Sequence, residues 1–135
     1  MAALTADRTT PRRSGVDLSL PVAAATRIFA GAIACVNAGG LAVPGITSTT
    51  LKAAGVAIEQ ADNLAGAASA IAVKVQRGVW RMANSAAGDL ITLANIGAQC
   101  FIVDDQTVAL TNGTATRSVA GIIRDVDASG VWVEF

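Results

Sequence analysis

Few side chains in this sequence could do acid–base or metal chemistry, and only four carboxylates lie in pairs. Asp104 with Asp105 and Asp125 with Asp127 are the only carboxylate clusters. Such pairs can act as acid and base or bind a hard cation. Each stands beside turn-forming residues, where a short carboxylate caps backbone amides, and that structural role is the expected one. There is no histidine, which excludes histidine triads, a histidine general base and histidine-ligated metals. Cys35 and Cys100, the only cysteines, each sit in an apolar run. A disulfide could join them, but two buried free thiols are expected.

No Walker loop, paired CxxC, HExxH or GxSxG motif occurs. Lys52, Lys74, Arg77 and Arg81 are too sparse for a phosphate groove. Asn112-Gly113-Thr114 fits the N-glycosylation pattern, but Asn-Gly is also the strongest short turn signal, and a turn is expected. Neither an enzyme nor a cofactor is implied. Ten basic residues balance ten acidic ones, and the aromatic supply is three Phe and two Trp. A nucleic-acid binder needs a cationic surplus and stacking surfaces, so direct nucleic-acid contact is not expected.

The elements that would carry these residues read as β structure. In residues 26–45, Ile28, Ala30 and Ala32 share one parity, Phe29, Ile33 and Cys35 the other. A strand buried on both faces, or kinked at Gly31, has that pattern. Asn37, Gly39 and Gly40 allow a reversal, and Pro44-Gly45 ends the return strand. Ile71, Val73 and Val75 alternate with Ala72, Lys74 and Gln76, the clearest strand in the chain. The parity flips after Arg77-Gly78, predicting a β-bulge there. Residues 92–97 read as one helical turn capped by Thr92 and stopped by Gly97. Residues 119–126 and 131–135 form a closing hairpin. The expected core is Ile71, Val73, Val75, Ile102, Ile122 and Val131.

Residues 1–21 show neither helical nor strand periodicity and read as an extended arm before a domain at 22–135. Leu4, Val16, Leu18 and Leu20 are apolar anchors that a purely solvated tail would not need. Arg8, Arg12 and Arg13 could pair with carboxylates on a neighbour, so Arg8, Arg12, Arg13, Leu18 and Leu20 are the candidate partner-binding residues. The hydrophobic fraction is 53% and the charged fraction 15%, which fits either a small-residue β core or apolar surface left for other subunits. The N-terminus is polar, without an apolar signal region, and no run is long enough to span a bilayer. No membrane association and synthesis in a reducing cytoplasm are therefore expected.

A Thr-Pro-Arg-Arg arm is followed in order by RIFAGAIACVNAGGLAVPG, KVQRGVWRMANS, TLANIGAQCFIVDDQTVA and AGIIRDVDASGVWVEF. Over nearly the whole chain these resemble the small capsid cement, or decoration, proteins of tailed bacteriophages and prophages, encoded beside the major capsid protein. The resemblance implies an all-β protein, a small β-barrel or jelly-roll-like sandwich with an extended N-terminal arm. It implies a place in the virion, on the outer capsid surface, after synthesis in the host bacterial cytoplasm. The implied partners are the major capsid protein and the chain itself, as dimers at two-fold positions or, alternatively, trimers at three-fold positions. A small β-barrel binding module for carbohydrate or nucleic acid is the alternative. It would need Trp80 and Trp132 exposed side by side.

Overall fold

The computed structural model describes residues 2–135, and the fold is all-β. Strands β1 (Asp17–Pro21), β2 (Thr26–Ile28), β3 (Ile33–Val36), β4 (Ala42–Pro44), β5 (Lys52–Ala57), β6 (Ala61–Asn63) and β7 (Ala72–Gln76) make the first half. The second half holds β8 (Val79–Asn84), β9 (Gln99–Ile102), β10 (Thr107–Ala109), β11 (Val119–Asp127) and β12 (Gly130–Glu134). Short 3₁₀ turns at Ala87–Asp89 and Leu93–Asn95 lie between β8 and β9.

In the first half the strand order is β1-β7-β5-β3-β4, with β2 and β6 as a separate two-stranded ribbon. Val22, just past β1, bridges Ala42 in parallel, and the Ala23 amide donates to the Ala42 carbonyl at 3.1 Å. The chain thus covers part of the β4 edge, which would otherwise offer unpaired backbone groups. Strands β10-β8-β12-β11-β9 close a five-stranded barrel, antiparallel except where β8 meets β10. Closure brings Gly130 (φ +150°) so near the Met82 carbonyl that a Cβ there would collide with it.

Two cores result, and β3 and β5 serve both. Ile33, Cys35 and Val56 join Ile102, Val108, Ile123, Val131 and Val133 in the barrel core. Ala34 and Ala57 on the opposite face join Val22, Ile28, Val73 and Val75. Successive side chains of a strand point to opposite faces, which explains the apolar residues at both parities. The alanines let the smaller core close tightly around these strands. Each fully buried Val or Ile contributes about 1.5–3 kcal/mol relative to exposure.

Three expectations need correction. Gly78 is not a bulge: β7 and β8 belong to different sheets, and Arg77-Gly78 is the crossing between them. The faces switch because the strand changes sheet. Ile122 is only half-buried, whereas Ile123 is fully buried, because β11 sets Ile123 opposite inward-facing Val133 and Ile122 opposite exposed Glu134. Ile71 lies just outside β7 and packs half-buried at the margin of the smaller core. Val73, Val75, Ile102 and Val131 are fully buried, as expected.

Replacing Ile123 with Ala is expected to cost about 2–5 kcal/mol in chemical denaturation, the range for emptying a packed core site. Ile122→Ala is expected to cost clearly less. Equal losses would contradict the register.

Candidate functional site

The arm and one pair of loops carry the surface features of interest. Residues 2–16 are exposed throughout, Leu4 at 70%. Arg8, Arg12 and Arg13 lie in this exposed stretch, and none is in an ion pair among the described residues. The arm ends at Val16, whose carbonyl accepts from the Arg77 amide at 2.8 Å, rather than at Pro21. Strand β1 follows, with Leu18 opposite Val75 and Leu20 opposite Val73. Both leucines are half-buried against the smaller core. The structure therefore separates the five residues expected to bind a partner: three arginines on the arm and two leucines packed on their own domain. The missed signal was the shared parity of Val16, Leu18, Leu20 and Val22, a period of two hidden among polar residues.

The loops stand between β8 and β9 and between β10 and β11. Ile91, 1% exposed, plugs the barrel, and the Asn84 side chain holds its backbone from both sides. Asn84 Nδ2 donates to the Ile91 carbonyl at 2.8 Å, and the Ile91 amide donates to Asn84 Oδ1 at 3.0 Å. Asp89 joins the two loops. The Thr111 hydroxyl donates to its Oδ1 at 2.5 Å, and Arg117 donates to its Oδ2 at 3.1 Å. Farther on, the Thr92 amide donates to Asn95 Oδ1 at 2.8 Å, and the Gly97 amide to the Ile123 carbonyl at 2.8 Å. The expected single turn is present, as a 3₁₀ turn.

Held this way, Leu90, Leu93 and Ile96 project into solvent at 45%, 61% and 50% exposure. Leu90 and Ile96 end the two 3₁₀ turns and Leu93 begins the second, so this loop carries three exposed apolar side chains within seven residues, here called the ridge. The spacing was visible in the sequence, but nothing there distinguished an outward ridge from a buried one. Ala87, Thr114 and Ala115, in the same loops, have φ near +60° (52°, 60° and 59°). Left-handed backbone is unfavourable for residues with a Cβ, so the side-chain ties above restrain a strained region.

Of the paired aspartates, Asp104 and Asp127 serve turns. Asp104 Oδ1 accepts from the Gln106 and Thr107 amides at 2.9 and 2.8 Å. Asp127 Oδ1 accepts from the Ser129 amide at 2.7 Å, and its Oδ2 from the Trp132 indole at 2.8 Å. No group of three or more potential metal ligands occurs among the described residues. The Cys35 and Cys100 thiols are free and buried. Burial pushes them up to about 12 and about 11 respectively, so the reactive thiolate is scarce at neutral pH. Trp80 pairs across from Val133, which faces the barrel core, and Trp132 pairs across from Arg81. The two indoles therefore lie on opposite faces of the barrel wall. Among the described residues no helix is long and apolar enough to cross a membrane.

No family model, curated protein or solved structure matches the chain.

Hydrogen bonds to the charged form hold two carboxyls below their ordinary value of about 3.9. For Asp89 the Thr111 hydroxyl is the largest cause, with Arg117 adding to it. For Asp127 the Trp132 indole is the largest. A depressed folded pKa means that the ionised group favours the native state above that ordinary value. The benefit is lost as pH falls through the lower folded value. Acid titration is expected to change Trp132 emission only below about pH 3.9, and Asp127→Asn to abolish that step. A step at the ordinary carboxylate value would contradict the indole–carboxylate bond.

Proposed function

We propose that the protein is a structural virion component. It binds the outside of an icosahedral phage capsid, through the major capsid protein and through copies of itself, and cements adjacent capsomers against the pressure of packaged DNA. The observation that carries this reading is the ridge of Leu90, Leu93 and Ile96: apolar, exposed and tied down on a chain without net charge. The resemblance read from the sequence motifs suggests a capsid shell as the surface it meets.

Magnitudes favour a repeated contact over a solitary one. Three side chains at about half exposure offer roughly 300 Å², well short of the ~800 Å² that each partner buries in a stable complex. Such a contact is weak alone and effective when linked copies bind a lattice. Bound copies then stabilise the assembled shell by mass action, because they have no affinity for its dispersed form. In the same reading, the open sheet and the closed barrel packed through β3 and β5 are a jelly-roll-like sandwich. Dimers sit at two-fold positions, and the arm reaches between copies. The alternative, a carbohydrate- or nucleic-acid-binding barrel, loses its stacking platform because the two indoles face opposite ways.

Leu93→Asp tests the reading. At an exposed site it is expected to leave stability within about 0.5 kcal/mol of wild type. Occupancy of undecorated shells, measured by sedimentation or electron microscopy, is expected to fall about tenfold or more. Wild-type occupancy by a folded Leu93→Asp protein would overturn the assignment of the ridge.

A further inference from the structure

Away from the ridge, the loop after β2 and the turn between β9 and β10 enclose a cleft of about 360 Å³. Phe29, 52% exposed, forms one wall, with Ala30, Gly31 and Ala32 beside it and Asp105 and Gln106 opposite. Among the described residues the half-buried Asp105 carboxylate receives no hydrogen bond and joins no ion pair. The Ala30 and Gly31 carbonyls likewise receive no hydrogen bond. Neighbouring groups differ. Asp104 is engaged by the Gln106 and Thr107 amides. Arg27, 5.6 Å from the Phe29 ring centre, is neutralised by Asp62 at 3.2 Å.

The residues lining the cleft thus carry a carboxylate and two backbone carbonyls without partners among the described residues, beside an aromatic ring. That set suits a guanidinium, whose planar donors reach several acceptors while its face lies against the ring. The chain carries such groups on its arm. Three of the ten basic residues and one of the ten acidic ones lie in residues 1–16, leaving +2 on the arm and −2 on residues 17–135. Arg8, Arg12 and Arg13 are exposed, and none lines the cleft. An extended arm of sixteen residues reaches roughly 50 Å, enough to pass from one molecule to the next.

We propose that this cleft binds an arm arginine of a second copy of the chain. The proposal rests on the self-association included in the reading above and gives it a site. Contact of opposite charges between the exposed arm and the domain surface also makes the association sensitive to salt.

Sedimentation velocity of the full-length protein at low ionic strength tests it. Wild type is expected to associate with rising concentration and to dissociate when salt is added. Asp105→Asn, and separately the triple variant Arg8→Ala, Arg12→Ala, Arg13→Ala, are each expected to weaken association about tenfold or more. Thermal melts check that both remain folded. Mixing them is expected to restore a one-to-one complex, because one variant keeps a working arm and the other a working cleft. Wild type that stays monomeric, Asp105→Asn that associates like wild type, or a mixture that stays dissociated would each overturn the proposal. Shell occupancy measured on the same samples separates the two ideas. Decoration by a monomeric wild type sinks the cleft alone, and self-association without decoration sinks the shell reading alone.

Discussion

The structure depends on a wall that is buried on both sides. Strands β3 and β5 give Ile33, Cys35 and Val56 to the barrel and Ala34 and Ala57 to the open sheet. Neither half has a complete core without them. This arrangement answers a size problem, since a chain of 135 residues divided into two independent domains would leave each with little apolar surface to bury. Sharing a wall lets one set of backbone hydrogen bonds support two packed faces. It also limits composition. Residues on both faces must be apolar, and those that β3 and β5 turn toward the smaller core are small, as Ala34 and Ala57 are.

With the interior apolar on this scale, the polar side chains work mainly at loops. Asn84 clamps Ile91, Asp89 joins Thr111 and Arg117, and Asp127 holds both its own turn and the Trp132 indole. Non-glycine residues in left-handed conformations in these loops, Ala87, Thr114 and Ala115, persist because such ties over-determine the backbone. A rigid loop loses little conformational entropy when something docks on it, so under the proposed function the side-chain ties would favour binding at Leu90, Leu93 and Ile96. The arm is the opposite device. Its residues pay an ordering cost on the order of 1–2 kcal/mol each when fixed, so it suits a contact that is anchored at a few charged points.

Much of the fold was legible because period-two patterns and turn residues report local geometry. The β3–β4 reversal, β7 and the β11–β12 hairpin could be read in this way, and the doubly apolar pattern around Ile33 announced a strand with two buried faces. What could not be read was which sheet a strand joins. Arg77-Gly78 looks the same as a bulge or as a crossing, because both reverse parity. Ile122 and Ile123 are adjacent and chemically identical, so only the pairing with β12 decides which one faces inward. The surface was harder still. Leu18 and Leu20 looked like free anchors because their partners, Val75 and Val73, lie more than fifty positions away. The Phe29–Asp105 cleft joins segments equally remote in sequence.

The central claim, that one shared wall makes the two halves a single cooperative unit, is tested most directly by native-state hydrogen exchange. The amides of Val75 in β7 and Val133 in β12 report on opposite sides of the wall. The account predicts that both exchange only through global unfolding, with the same opening free energy and the same denaturant dependence. An opening of β7 at markedly lower free energy, while β12 stays protected, would contradict it.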